Sequence, residues 1–334
     1  MLEQNPEKEL DEIVKVVRNY EGLVRKNAIR DIYNLLRSTH AFGSPMENFG
    51  DDAAPIPYGD GYLLLATDGM MTGLLIESPY ATGKASILVT VNDIYSMGGR
   101  PLGLVNVLAS GNERQRTQIV EGIADGCRRF RVPMLGGHLH PDAPQDHPAL
   151  SVAILGCAKK LIRNHLATAG DVLIAAVDLN GQPGSTPIVG WNTNSDKTSD
   201  ELLNRLEILP RIAEENLVNA GKDISNAGLL GTLCIMLENS GKGALIDLQA
   251  IPKPSSMRFM DWVLCFQSYG FILSARPDNY KKIMSLFSEQ NITAAVIGHV
   301  TDDSTVVISC GGKRKTLFDF STEKITGISV KYFK

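Results

Sequence analysis

Four carboxylate-bearing motifs stand where the sequence predicts that a strand or a helix begins or ends. Their acidic residues are Asp51, Asp52, Asp68, Asp93 and Asp223. Adjacent carboxylates, such as the first two, repel each other and raise the pKa of one partner unless a cation lies nearby. Mg²⁺ is a hard cation that proteins bind through carboxylates together with substrate phosphates. The set therefore indicates a magnesium–phosphate site, while each motif alone also fits a solvated turn or a polar helix face.

A glycine pair, Gly136-Gly137, precedes the segment His138-Leu139-His140. Glycine lets the backbone approach a phosphate closely, so this pair is a candidate phosphate-binding turn. The two histidines also suggest zinc, but no nearby cysteine or third histidine completes a tetrahedral site. Neutral histidine can instead donate a hydrogen bond to a substrate or act as a base near neutral pH.

The segment from Asp223 to Asn226 precedes a predicted helix. Ser225 or Asn226 would cap that helix, which is a structural role. Alternatively, Asp223 would lie beside an anion site at the helix N-terminus. The chain has neither a Walker A sequence nor a G-x-G-x-x-G fingerprint after a strand, so a phosphate site would depend on the aspartates.

Apolar periodicity predicts the elements that would position these residues. Helices are expected twice within 7–38 and at 82–97, 113–130, 200–220, 226–239 and 278–290. Strands are expected at 62–66, 102–108, 149–158 and 172–177. On the helix over 82–97, Asn92, Asp93 and Ser96 are predicted to form a polar face. This order of elements predicts an α+β (mixed α/β) fold in which helices pack on mixed sheets.

Length and local composition predict two domains. The chain has 334 residues, and a basic, polar stretch at 159–169 marks the expected boundary. We assign residues 1–40 to N-terminal helices, 41–160 to an N-terminal domain and 168–334 to a C-terminal domain. The Gly-, Pro- and Ser-rich stretch at 181–198 is predicted to be a long loop of the kind that forms lids or mobile segments.

The composition of the chain limits the kinds of molecule that we expect it to bind. The net charge of −4 implies no broad basic surface for nucleic acid. No apolar run approaches the length of a membrane span, and the acidic N-terminus lacks the apolar core of a signal peptide. Five cysteines without a C-x-x-C pair indicate buried, reduced thiols. We therefore expect a soluble, cytoplasmic protein with no nucleic-acid or membrane partner.

Five motifs, in this order, resemble those of the superfamily that includes aminoimidazole-ribonucleotide (AIR) synthetase, thiamine-monophosphate kinase, selenophosphate synthetase and a hydrogenase maturation enzyme. They are GDDAA at 50–54, ATDGM at 66–70, VNDIYSMGGRP at 91–101, the glycine pair and AGKDISNAGLLGTL at 220–233. The resemblance implies a two-domain AIR-synthase-like fold, with N-terminal mixed sheets pairing in a dimer barrel and a C-terminal α/β sandwich. It also implies ATP and Mg²⁺ as cofactors, a homodimer and a small-molecule substrate.

The same resemblance assigns roles to individual residues. The implied Mg²⁺ ligands are Asp51, Asp52, Asp68, Asp93 and Asp223. The expected catalytic residues are Asp51, Asp93 and His138. The nucleotide site would be lined by Gly50, Thr67, Gly69, Asn92, Gly136 and Gly137.

The sequence departs from the thiamine-monophosphate kinase pattern at three places. His138 and Asn226 stand where that kinase has aspartates, and residues 267–273 replace an acidic stretch. The GGHLHPD segment instead resembles an uncharacterised branch of kinase homologues that includes a methanogenesis-marker group. The expected function is therefore ATP- and Mg²⁺-dependent phosphorylation or activation of a small metabolite. The alternatives are a nucleotide-binding regulatory or assembly protein without turnover, and thiamine-monophosphate kinase itself.

Overall fold

The apolar runs of the sequence form two large mixed β-sheets, and the amphipathic segments form helices that pack on them. The computed structural model describes residues 6–42, 50–184 and 189–328. The α+β fold predicted from periodicity is confirmed. Within the described ranges, no helix combines the length and the apolar character that crossing a bilayer requires.

The helices and strands of the described residues are numbered in chain order. The helices are α1 (Pro6–Asn19), α2 (Glu21–Val24), α3 (Ile29–Leu36), α4 (Thr72–Glu77), α5 (Pro79–Ser96), α6 (Glu113–Phe130), α7 (Ser199–Leu206), α8 (Ile208–Glu214), α9 (Gly228–Ser240), α10 (Phe259–Leu264) and α11 (Tyr280–Ser288). The strands are β1 (Ala54–Tyr58), β2 (Gly61–Gly69), β3 (Arg100–Ala109), β4 (Met134–His140), β5 (Ala149–Ala158), β6 (Val172–Val177), β7 (Gln182–Pro183), β8 (Gly190–Asn192), β9 (Ala220–Asp223), β10 (Gly243–Asp247), β11 (Phe266–Gln267), β12 (Gly270–Ala275), β13 (Thr293–Thr301), β14 (Thr305–Cys310) and β15 (Lys313–Asp319).

The chain divides into two compact units, and each is discontinuous in sequence. The C-terminal sheet unit contains the described residues up to Asp51, from Ile162 to Gln182 and from Glu215 onward. The N-terminal sheet unit contains Asp52–Leu161 and the described residues of Pro183–Glu214. The described residues of 183–214 thus fold with the first sheet, whereas the sequence analysis assigns them to the C-terminal domain, 168–334. As a domain assignment, the three ranges 1–40, 41–160 and 168–334 stay a prediction.

Five strands form the sheet of the N-terminal unit, in the order β1-β2-β5-β3-β4. Only β3 and β4 run parallel to each other; the other pairs are antiparallel. Helix α5 packs on β2, β3 and β5, so alternate residues of these strands are buried beneath it. The opposite face exposes apolar side chains, among them the cross-strand pair Leu65 and Leu155, which are 48% and 37% exposed.

Helices α5 and α6 approach each other closely because glycines lie at their contact. A Cβ on Gly83 would lie 2.1 Å from the carbonyl oxygen of Ile119, and one on Gly122 would lie 2.0 Å from that of Tyr80. Larger residues at either position would push the helices apart. This contact joins the beginning of α5 to α6, and the last turn of α5 carries Asp93 and Ser96.

The C-terminal unit is built on a seven-stranded sheet, in the order β15-β14-β10-β13-β6-β12-β9. Helix α9 is buried along its whole length, and as far as Leu237 it is almost entirely apolar rather than amphipathic. Its buried Glu238 accepts hydrogen bonds from the backbone amides of Ile325 and Thr326, which attaches the C-terminal segment to the helix.

The predicted helix over 200–220 is wrong in extent. The structure has two short helices there, α7 and α8, which end at Leu206 and Glu214. Pro210 explains the break, because proline lacks an amide hydrogen and its ring clashes with the carbonyl four residues earlier. The chain then forms strand β9, whose last residue is Asp223.

Candidate functional site

The carboxylates of Asp52 and Asp93 come together in the N-terminal unit. Asp52 precedes β1, and Asp93 lies in the last turn of α5. A carboxylate oxygen of each lies within 4.8 Å of one from the other. The hydroxyl of Ser96 lies 2.7 Å from Asp52 Oδ2 and 2.8 Å from the carbonyl oxygen of Asp93. Two half-buried carboxylates this close repel each other unless a proton or a cation offsets the repulsion.

The polar side chains of α5 are buried rather than solvated. Asn92 and Ser96 are each only 1% exposed, and Asp93 is half-buried. The helix lies between α6 and the sheet, so side chains outside its apolar face are also covered by protein. The sequence predicted the polar grouping of these residues but not their burial.

Asp68 and its neighbours lie at the end of β2. Asp68 is exposed, and its Oδ1 accepts a hydrogen bond of 2.8 Å from the amide of Gly69. The hydroxyl of Thr67 donates to the carbonyl oxygen of Val152 on the adjacent strand, at 3.1 Å. Asp68 is not part of the 4.8 Å grouping around Asp52 and Asp93.

Gly136 and Gly137 do not form a turn, which corrects the sequence interpretation. Both lie inside β4, the edge strand of the sheet. A Cβ on Gly137 would lie 2.1 Å from the side-chain oxygen of Asn106, whereas the space around Gly136 is open. Glycine at 137 therefore makes room for Asn106 on the paired strand β3. The assignment of both glycines to the nucleotide site stays a prediction.

His138 and His140 lie on the same side of β4, because side chains two residues apart on a strand share a face. Both are exposed, and their rings are in edge-to-face contact with centroids 4.5 Å apart. Among the described residues, they join no group of three or more histidine, cysteine or acidic side chains within reach of one metal ion. The pair is available to contact a ligand at the sheet edge.

Asp51 is bound inside the C-terminal unit by residues that the sequence analysis missed. Its carboxylate accepts hydrogen bonds from the guanidinium of Arg163 and, at 2.9 Å, from the amide of Asn164. The Asp51 side chain has no exposed surface, and that of Arg163 is 13% exposed. The Asn164 side chain donates to the carbonyl oxygen of Gly50.

The basic stretch at 159–169 therefore supplies the partners of the GDDAA motif instead of serving only as a linker. Asp51 has the surroundings of a buried structural ion pair rather than those of an open metal ligand. The sequence does carry a signal for this pairing. A buried carboxylate requires a cationic partner, and the basic residues that follow the last strand of the first sheet lie in the stretch at 159–169.

Asp223 forms a second buried pair in the C-terminal unit. Its Oδ1 lies 3.8 Å from Nζ of the adjacent Lys222, and the two side chains are 7% and 12% exposed. Burial raises the pKa of Asp223 and lowers that of Lys222, and the attraction between the two groups partly opposes both shifts. Three residues further on, Asn226 accepts a hydrogen bond of 3.2 Å from the hydroxyl of Tyr20.

The predicted loop at 181–198 is anchored in its second half. The guanidinium of Arg129 on α6 donates to the carbonyl oxygens of Asn194 and, at 2.8 Å, Lys197. The buried Arg205 donates to the Asn194 side chain. Residues 185–188 of this loop lie outside the described residues. These bonds hold residues 194–197 to α6 and α7, and a lid role for the loop stays a prediction.

The chain belongs to the AIR synthase related protein family. The model of the family's N-terminal domain matches residues 50–158, and that of its C-terminal domain matches residues 168–311. An uncharacterized protein of Methanocaldococcus jannaschii is 37% identical over 95% of this chain and 99% of its own length. An uncharacterized protein of Synechocystis is 38% identical over 84% of this chain and 86% of its own length.

Enzymes of the same superfamily are more distant. The selenide, water dikinase of Colwellia psychrerythraea is 28% identical over 61% of this chain and 60% of its own length. Thermotoga maritima PurL in complex with ADP has a TM-score of 0.71 at 18% identity over 84% of this chain. This chain spans about half of that PurL chain, 47% of its length. AaThiL in complex with AMPPCP and TMP has a TM-score of 0.64 at 18% identity, over 86% of this chain and 96% of its own. These likenesses confirm the AIR-synthase-like fold.

Replacing Asp51 with asparagine should destabilise the protein, because Arg163 would keep its buried charge and lose its anionic partner. Breaking a buried ion pair from one side costs about 3–5 kcal/mol. The exposed Asp68 is the matched control, and its replacement with asparagine should change stability by no more than about 0.5 kcal/mol. Urea unfolding of both variants measures the difference. Equal unfolding free energies for the two would show that Asp51 is not a structural anchor.

Proposed function

We propose that this protein is an ATP- and Mg²⁺-dependent enzyme that phosphorylates or otherwise activates a small metabolite. The carboxylate pair of Asp52 and Asp93 carries the proposal, because carboxylates in this arrangement suit Mg²⁺ and a nucleotide polyphosphate. Family membership supports it, since the superfamily includes ATP-using enzymes. Two structural neighbours were determined with nucleotides bound, PurL with ADP and AaThiL with AMPPCP, and they support the proposal further.

The donor set around this pair fits Mg²⁺. Asp52 and Asp93 offer hard oxygen ligands, and the hydrogen bond from Ser96 holds one Asp52 oxygen in place. Asn92, one residue before Asp93, is enclosed at the same helix end and is proposed to line the nucleotide site. When bound, the ion neutralises phosphate charge, which is the main electrostatic requirement of phosphoryl transfer. The family motif also assigns Asp68, Thr67 and Gly69 to this site, and we include them in the proposal.

His138 and His140 are proposed to act on the acceptor. Their exposed rings lie at the open edge of the sheet, and imidazole can exchange a proton near neutral pH. His138 is the proposed base or hydrogen-bond donor to the acceptor hydroxyl or carboxylate. A histidine there, where thiamine-monophosphate kinase has an aspartate, also makes thiamine monophosphate a poor candidate for the acceptor.

One observation favours the alternative of a nucleotide-binding protein without turnover. Asn226 is neutral and is hydrogen-bonded to Tyr20, so it brings no charge to the segment that carries Asp223. Steady-state ADP release across a panel of small metabolites separates the two functions, because a binding protein would show none above background.

ATP with Mg²⁺ should raise the melting temperature of the wild-type protein, since a ligand that binds only the native state stabilises it by mass action. At a ligand concentration 100 times Kd, the gain is about 2.7 kcal/mol. Replacing Asp52 or Asp93 with asparagine should remove most of this shift. Asp142→Asn, an exposed acidic residue after β4, is the control and should retain it. A wild-type protein that shows no shift, or variants that keep the full shift, would contradict the proposed site.

The exposed apolar face of the five-stranded sheet is proposed to be a homodimer interface. Leu65 and Leu155 lie at its centre, and Val105 and Val107 extend it along β3. A contiguous apolar patch on a sheet face typically marks a protein–protein contact, and two-fold pairing is the commonest form. Light scattering should give twice the mass of the chain. Leu155→Asp should give the monomer mass, while Leu35→Asp, on α3 and 79% exposed, should not. A monomeric wild-type protein at micromolar concentration would exclude the dimer.

A further inference from the structure

Helix α1 and the segment that leads into α10 enclose a cavity of about 480 Å³. From α1, the lining includes Glu9, Glu12 and Ile13, which share one face because they lie three and four residues apart. The opposite wall is formed by Lys253 and residues 255–260. The cavity belongs entirely to the C-terminal sheet unit. Its volume falls within the roughly 300–1,000 Å³ that is usual for small-molecule sites.

The carboxylate of Glu9 is incompletely satisfied by the protein around it. The side chain is half-buried, and its Oε2 is covered by protein but meets no hydrogen-bond donor among the described residues. A covered carboxylate oxygen loses its hydration, and folded proteins normally replace that hydration with a donor or a cation. A cation held in the cavity would therefore offset the charge of Glu9 without displacing a protein partner of Oε2.

The basic side chains of the cavity wall already have oxygen partners. Nζ of Lys253 donates to the carbonyl oxygens of Pro254 and Met257, at 2.9 and 2.7 Å. The guanidinium of Arg258 donates two hydrogen bonds, of 2.7 and 2.8 Å, to the carboxylate of Asp261. Both basic groups are thus bonded to oxygens of their own segment.

The charges around the cavity leave an excess of one negative charge. Three carboxylates and two basic groups line it or bond to its lining, and they belong to Glu9, Glu12, Asp261, Lys253 and Arg258. The other charged side chains at this end of α1, within the described residues, carry two charges of each sign and belong to Glu7, Lys8, Asp11 and its partner Lys315. These surroundings favour a cation over an anion, and partial burial strengthens the preference relative to water.

The lining suits an organic cation better than a metal ion. Among the described residues, Glu9 and Glu12 join no group of three or more histidine, cysteine or acidic side chains within reach of one ion. Hard metal ions require several oxygen ligands, whereas part of this lining is apolar and includes Ile13, Met257 and Phe259. An ammonium group attached to a hydrocarbon body matches both parts, and an aromatic ring also attracts a cation.

We propose that this cavity binds a small organic amine in its protonated form, with the ammonium group beside Glu9 and the apolar body against Phe259. The site goes beyond the proposed phosphoryl-transfer function, because it uses none of the residues assigned to magnesium, nucleotide or acceptor. Ser255 and Ser256 are exposed in the same lining and offer hydroxyl groups to a second polar group of the amine. A neutral analogue of the same shape should bind more weakly, since it leaves the charge of Glu9 without a cation.

Titration of the full chain with benzylamine near neutral pH, followed by ligand-observed NMR, tests the site. The wild-type protein should bind benzylamine saturably and should bind benzyl alcohol, its neutral analogue, about tenfold more weakly or less. Glu9→Gln should weaken benzylamine binding by about tenfold or more, the usual effect of removing a hydrogen bond to a charged group. Glu7→Gln, an exposed position on the same helix outside the lining, is the matched control and should keep the wild-type affinity.

The affinity for benzyl alcohol shows whether the cavity of Glu9→Gln is intact. An unchanged affinity for the alcohol, together with a lost preference for the amine, would support the assignment of the ammonium group to Glu9. Asp93→Asn should bind benzylamine as the wild type does, so the outcome does not depend on the magnesium site. Absence of saturable benzylamine binding, equal affinity of the wild type for amine and alcohol, or wild-type benzylamine affinity in Glu9→Gln would overturn the proposal.

Discussion

Repulsion between the carboxylates of Asp52 and Asp93 is the constraint around which the N-terminal unit is organised. Oxygens within 4.8 Å of each other are stable as two anions only where donors or a cation offset their charge. Ser96 supplies a donor, and the rigid end of α5 keeps it in place. The sheet packs closely on that helix end, since a Cβ on Gly156 of β5 would lie 2.5 Å from the side chain of Ile94. The packing of the unit thus maintains a charge arrangement that a divalent cation would stabilise.

The negative charges of Asp51 and Asp223 are offset by basic side chains. Asp51 is paired with Arg163, and Asp223 lies beside Lys222. A carboxylate that already has a cationic partner is a weaker magnesium ligand, because the ion must compete with that partner. Motifs that look equivalent in the sequence therefore differ in their neighbours: Asp51 and Asp223 each lie beside a basic side chain, and Asp52 accepts a hydrogen bond from Ser96.

Local sequence patterns predicted most of the fold and part of the site. Helices α5, α6 and α9 and strands β2, β3, β5 and β6 follow from periodicity, because each is long and bounded by turn residues. The break before Pro210 also has a local cause, because proline cannot continue the hydrogen bonding of a helix interior. The pairing of Asp51 with Arg163 and of Asn226 with Tyr20 joins residues 112 and 206 positions apart, and no local pattern specifies such contacts. The glycine pair predicts a turn but lies in a strand, and the requirement for glycine at 137 comes from Asn106 on the neighbouring strand, which no local pattern specifies.

Electron paramagnetic resonance of bound Mn²⁺, used in place of Mg²⁺, tests the central claim that Asp52 and Asp93 hold a divalent cation. In the presence of ADP, the wild-type protein should reduce the signal of free Mn²⁺ with saturable binding. Asp93→Asn should weaken that binding by about tenfold or more, since one charged ligand is lost. Asp142→Asn should bind as the wild type does. Saturable binding of equal affinity in wild type and Asp93→Asn, or no binding by the wild-type protein, would contradict the account.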